Sequence, residues 1–75
     1  MNKADFLVEL EDILQREEPC NIEDSLDEYE EWDSLSIMSV MAYYDKHFGV
    51  KLSLSDFRKI STVADLVALA GDKIQ

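Results

Sequence analysis

Apolar residues recur at helical spacing in three stretches of the chain, with a fourth, shorter one between the last two. Phe6, Leu7, Leu10, Ile13 and Leu14 share one face at 3.6-residue spacing. Asn2 stands before them as a cap with Asp5 three residues on, so the pattern predicts a helix over about 3–16, its end marked by Pro19. Periodicity then lapses until Ser34. In between, Ile22, Leu26, Tyr29 and Trp32 are isolated in an acidic background, too sparse for a helix face but spaced to pin a long loop to a core. Long ordered loops in small domains tend to be functional.

From Ser34 the pattern resumes. Ile37, Met38, Met41, Tyr44 and Phe48 fall within about 120° on a helical wheel at 100° per residue, with Ser36, Ser39, Tyr43, Lys46 and His47 opposite. Gly49 supplies a left-handed stop, which predicts a helix over about 34–48. An extended VKLSL follows. Next comes a short segment, Ser55 to Ile60, in which Ser55 can cap and Leu54, Phe57 and Ile60 share a face. Thr62 opens the last helical stretch, with Asp65 three residues on as a capping-box partner and a stripe of Val63, Leu66, Val67, Ala70 and Ile74. The expectation is an all-α fold in a single domain over 1–75: a small four-helix bundle with a long loop between helices 1 and 2 and a short helix 3. No internal repeat, β-alternation or low-complexity tract interrupts it.

Charge changes this picture only in the front half. Of the 17 acidic residues 13 lie in residues 1–33, against Lys3 and Arg16, and the net charge is −10. Between Glu17 and Asp33 there are nine carboxylates and no Lys or Arg. Such a surface repels phosphate backbones and anionic lipid, which argues against nucleic-acid binding and favours basic protein partners; a solvated acidic loop is the plainer reading. No apolar run approaches the roughly 20 residues needed to span a bilayer, and the acids within MNKADFLVELED are unlike a signal peptide, so a cytoplasmic protein is expected. One cysteine and one histidine, Cys20 and His47, allow neither an internal disulfide nor a metal-ligand cluster. Cys20 reads as a small loop residue and His47, beside Lys46, as a favourable charge at a helix C-terminus. No nucleophile, base and orienting group can be assembled, so an enzyme is not expected.

The tripeptide Asp-Ser-Leu occurs twice, at 24–26 and 33–35. Ser25 lies in the non-periodic acidic loop, where an Asp-Ser pair most often makes local turns. Ser34 begins the amphipathic helix, where free backbone amides favour an anion such as a phosphate ester. It could equally be an ordinary N-cap, as could Asp33 before it.

Trp32-Asp33-Ser34-Leu35, a helix ending in Phe48-Gly49, then Val50-Lys51-Leu52 and Ile60-Ser61-Thr62-Val63-Ala64-Asp65-Leu66, together resemble the acyl carrier protein family over essentially the whole chain. That family starts its second helix with Asp-Ser-Leu and places Phe-Gly fourteen residues after the serine, so Ser34 is in register and Ser25 is not. The resemblance implies a serine, Ser34, that receives 4′-phosphopantetheine from coenzyme A and bears acyl groups as thioesters. It implies that Asp33 helps recruit the phosphopantetheinyl transferase. It also implies that Trp32, Leu35, Met38 and Ala42 lie on the surface that meets acyl ligases, synthases or acyltransferases with basic docking surfaces. A monomer is expected.

Carriers of bacterial fatty-acid synthesis usually have acids two and five positions after the serine, where this chain has Ser36 and Ser39, and a glycine two before it, where this chain has Trp32. These departures point to a specialised carrier with a dedicated ligase or synthase. Two other readings stand beside it: a peptidyl or aminoacyl carrier using the same serine, and an acidic helical adaptor that carries no cofactor. In some relatives the interior shelters a long acyl chain. Tyr43, Tyr44, Met38 and Met41 could either fill such a space or flex around a chain.

Overall fold

Asn2 Oδ1 accepts the Asp5 amide at 2.7 Å and starts the first helix, α1, Lys3–Leu14. In the computed structural model, which describes residues 1–75, three more helices follow: α2, Ser34–Phe48; α3, Leu54–Arg58; and α4, Val63–Ala68. Single 3-10 turns sit at Leu26–Glu28 and Gly71–Lys73. There are no strands; one isolated antiparallel bridge joins Ser25 to Thr62. The all-helical expectation holds, and three of its boundaries change.

The first helix ends two residues earlier than periodicity suggests. Gln15 takes the left-handed conformation (φ 58°, ψ 38°), and the amides of Gln15 and Arg16 turn back to the carbonyls of Asp12 and Glu11. A left-handed non-glycine residue costs about 1–2 kcal/mol. It frees Arg16 to leave the helix axis and reach Glu31 Oε1 at 2.9 Å. At α3 the cap is Ser53, not Ser55, because Asp56 stands three residues beyond Ser53 and its Oδ2 accepts the Ser53 amide at 2.8 Å. The last helix is shorter than the run to Ile74: α4 stops at Ala68, and Gly71, with φ 64°, turns the chain into a 3-10 turn. Its start is as expected, with Thr62 Oγ1 accepting the Asp65 amide and Asp65 Oδ2 accepting the amides of Thr62 and Ser61.

One core unites the helices. Phe6, Leu10 and Leu14 enter from α1, Val40 and Tyr44 from α2, Phe57 from α3, and Val63, Leu66, Val67, Ala70 and Ile74 from the C-terminal stretch. Phe6 meets Tyr44 edge-on at 6.0 Å, and Phe48 meets Tyr44 the same way at 5.1 Å. On α2 the buried line runs through Ser36, Val40 and Tyr44. The wheel had Ser36 facing solvent and Met38 facing inward; the structure buries Ser36 and leaves Met38 60% exposed. Ser36 can be buried because its hydroxyl is satisfied within the first turn, as described below.

The loop between α1 and α2 is pinned rather than free. Leu26, Tyr29 and Cys20 are buried, and Ile22 and Trp32 pack against the core. Its backbone is tied to the start of α4: Leu26 N donates to Ser61 O at 2.8 Å, Val63 N to Asp24 O at 3.0 Å and Ala64 N to Ile22 O at 2.9 Å. Side chains complete the set. Tyr29 donates to Asp24 Oδ2 at 2.6 Å, and the Arg16 guanidinium lies 4.0 Å from the Tyr29 ring centre. Burial, and then the bond to Asp24, push the Tyr29 phenol up, and the same bond holds the Asp24 carboxyl below the usual range.

Candidate functional site

A helix of fifteen residues begins at Ser34, and its first turn needs acceptors for amides that have no partner inside the helix. Asp33 and Ser36 meet that need between them. Asp33 Oδ1 accepts the Ser36 amide at 2.9 Å, while Ser36 Oγ accepts the Asp33 amide at 2.9 Å and donates to the Asp33 carbonyl at 3.0 Å. The cap is therefore Asp33, and the Ser34 side chain has no part in it. Ser34 is exposed at the first helical position, next to the positive end of the helix dipole.

Ser34 lines an open cleft of about 190 Å³ together with Ile37 of α2 and Leu54, Phe57 and Arg58 of α3. Leu54 and Arg58 are one helical turn apart and so share this side of α3. Sequence patterning missed both: with Ser55 as the cap, Leu54 read as a core residue, yet it is 51% exposed. The available signal was Asp56, which points back to Ser53. Arg58 makes no ion pair, so the cleft beside the serine carries an uncommitted positive charge.

On the other side of Ser34, α2 presents a row of exposed apolar groups. Leu35 is 75% exposed, Met38 is 60% exposed, and Ala42 continues the line. Ser39, between them, donates back to the Leu35 carbonyl at 3.2 Å. Asp27, Glu28, Glu30 and Asp33 are exposed on the preceding loop. Trp32 is half-buried, its ring 6.1 Å from that of Phe57, so it fastens the loop to α3 immediately before the serine. The chain thus brings Asp33, Ser34, Leu35, Met38 and Ala42 onto one end and face of α2. Cys20 and His47 lie away from them: Cys20 is buried in the loop, and His47 stacks on Tyr43 at 4.2 Å near the far end of α2.

An exposed serine released from capping at a helix start is a ready point for a phosphate ester. The family described as "Phosphopantetheine attachment site" matches residues 5–70. The chain belongs to that family. Its members are carriers, not catalysts, and the cofactor they bear is covalently bound 4′-phosphopantetheine. The residues of this carrier fit such a group, since the free hydroxyl, the first turn of α2 and Arg58 would all face its phosphate. Among solved structures the fold is similar to that of a holo acyl carrier protein from Geobacter metallireducens, determined in solution by NMR. The TM-score is 0.73 at 24% identity, over 93% of this chain and 82% of that one. No curated protein matches it in sequence. No helix of the carrier is long and apolar enough to cross a membrane.

Proposed function

We propose that Ser34 is the attachment residue and that the protein is an acyl carrier acting with a dedicated set of enzymes. The observation that carries this reading is the division of labour at the start of α2. Asp33 and Ser36 cap the helix, leaving the Ser34 hydroxyl exposed and without an intramolecular bond. Ser25, the other candidate, is half-buried on a backbone bridged to Thr62.

Loading would proceed by attack of Ser34 Oγ on the β-phosphorus of coenzyme A. A P–O bond to the serine forms, the pyrophosphate linkage breaks, adenosine 3′,5′-bisphosphate leaves, and the hydroxyl proton passes to a base of the transferase. The first turn of α2 and Arg58 favour the phosphodiester left on the serine, an effect worth about 0.3–1 kcal/mol at a helix start. Once bound, the cofactor supplies a terminal thiol that holds an acyl group as an activated thioester. The chain contributes an address and a tether that raises the local concentration of the cargo at a docked enzyme.

Leu35, Met38 and Ala42 form the docking row, with the acids of the loop beside it and Asp33 at the transferase's approach. A partner suited to this surface has an apolar socket flanked by Lys or Arg. Contacts of this kind are small and steered by charge, so they exchange quickly and weaken with salt. Ser36 is buried in the helix cap and Ser39 is bonded to its own helix, so neither supplies the charge that generic fatty-acid carriers bear there. This supports a specialised pathway.

Intact-mass measurement after incubation with coenzyme A and a broad-specificity phosphopantetheinyl transferase tests the assignment. The wild type and Ser25→Ala should gain the phosphopantetheine mass, and Ser34→Ala should not. Modification of Ser34→Ala, or of none of the three, would sink it.

A further inference from the structure

We infer that Tyr44 closes the bundle to the cargo, so that whatever this carrier bears is held outside the core, at the surface around Ser34. The inference rests on Ser34 being the attachment residue and goes on to say where the cargo can and cannot go.

Space inside the bundle is the first ground. Five depressions mark the molecule and none is an enclosed cavity. Two flank the serine: the cleft of about 190 Å³ toward α3, and a larger but more open hollow of about 480 Å³ lined by Glu31, Asp33, Leu35, Ser36, Ser39 and residues at the end of α1, which lies on the outside of the bundle. Between them, on the inward side of α2, stand Ser36, Val40 and Tyr44, all buried. At roughly 30 Å³ per water-sized group, the cleft has room for about six such groups. That suits part of the prosthetic arm or a short acyl group, not a long chain.

The second ground is how Tyr44 is held. Its ring is fully buried, gripped edge-on by Phe6 and Phe48, and its hydroxyl donates to the Leu66 carbonyl at 2.6 Å. Leu66 lies in the second half of α4, where its carbonyl otherwise receives only a 3-10 bond from Leu69 at 3.2 Å. The phenol therefore joins the last third of α2 to the second half of α4 and gives the Leu66 carbonyl a second, shorter donor. A chain entering between α2 and α4 would have to expel the ring, break the shorter of the two bonds to Leu66 and leave the hydroxyl without a partner in an apolar interior. Aliphatic side chains at this position would yield by changing rotamer, whereas a tyrosine fixed at both ends does not. Of the four bulky residues that could have flexed around a chain, Met38 is outside, Met41 and Tyr43 are half-buried, and Tyr44 is the one locked in the centre.

The test hangs amide-linked hexanoyl, octanoyl and dodecanoyl pantetheine arms on the protein in two ways. One uses the transferase at Ser34; the other uses a thiol-reactive arm on a Ser34→Cys, Cys20→Ala chain, which places the same group whether or not an enzyme accepts the serine. Melting temperature and amide chemical shifts are read for each. Burying a methylene in the core would raise the melting temperature by roughly 3–6 °C per group. The wild-type core predicts instead a series flat within about 2 °C, with shifts at Ile37, Leu54 and Phe57 and none at Val40, Tyr44 or Leu66. Tyr44→Leu should convert it to a rising series with shifts in the core. A rising series or core shifts in the chain that keeps Tyr44 would overturn the inference, and if Tyr44→Leu does not fold, that chain alone decides. Failure of the enzymatic route with a flat series on the chemical route would reject Ser34 as the transferase's target and leave the closed core standing.

Discussion

In Asp24-Ser25-Leu26 the leucine is 1% exposed; in Asp33-Ser34-Leu35 it is 75% exposed. The aspartates differ as much. Asp24 accepts from the Tyr29 hydroxyl and the Asn21 amide and so folds the loop onto itself, whereas Asp33 accepts from the Ser36 amide and starts a helix. The serines follow their neighbours. Ser25 has its flanking backbone clamped to Ser61 and Val63, and Ser34 projects from a helix whose cap is already complete. The tripeptide itself carries neither role. What decides is the next bonding partner outward: a loop amide in one case, the free first turn of a fifteen-residue helix in the other.

The largest effect that would sharpen this contrast is on the buried leucine. Leu26→Ala should lower the unfolding free energy by about 3 kcal/mol, since it empties a filled core site, and urea denaturation will measure it. A loss below about 1 kcal/mol would mean that the loop does not hold the fold.

Acid comes next, and it acts on the first copy. Asp24 is held below the usual carboxylate range by the Tyr29 hydroxyl, as Asp56 and Asp65 are by amides of their own helix starts. A carboxyl lowered in the folded state stabilises above its unfolded value, and that stability is lost as the pH falls through the folded one. Stability should therefore fall progressively below about pH 4, with Asp24→Asn less stable at neutral pH and flatter in acid. Carboxyl titration by NMR gives the site directly, and an unshifted Asp24 would contradict the Tyr29 bond.

Removing the cap of the second copy has a smaller consequence. Asp33→Ala should destabilise by about 1 kcal/mol, and Asp33→Asn by less, because asparagine also caps. Smallest is Leu35→Ala, within about 0.5 kcal/mol of wild type in stability. The same substitution should weaken transferase and partner binding measurably. Equal stability losses for Leu26→Ala and Leu35→Ala would erase the distinction between the two copies.

Much of this was legible in the chain. Gly49 and the Thr62 to Asp65 box announce helix ends by chemistry that needs no tertiary context. The stripe from Val63 to Ile74 is buried as patterned, and so is that of α1 apart from Leu7 and Ile13, which are partly buried. On α2 the difference arises because a polar side chain satisfied close to home reads as a surface residue. Ser36 looked exposed because its hydroxyl's return to Asp33 is invisible in a hydropathy pattern, and placing it outward helped to turn Met38 inward. Ser53 and Ser55 both offer a hydroxyl near the start of this helix, and Asp56, three residues beyond Ser53, selects Ser53. At Gln15 the stop is left-handed without glycine, and Arg16 just beyond it pairs with Glu31 across the loop. The free hydroxyl of Ser34 could not be read at all until Asp33 was known to be the cap.

The backbone hydrogen bonds that join Ile22, Asp24 and Leu26 to Ala64, Val63 and Ser61 respectively span the whole of α2 and α3 in sequence. Closing so long an interval costs chain entropy before any bond is returned, so these pairings belong late in folding, after α1 and α2 have met. A nascent chain still short of residue 61 has nothing to receive the loop. The acidic segment is therefore not clamped before the start of α4 is present, and the serine end of α2 acquires its final surroundings only then.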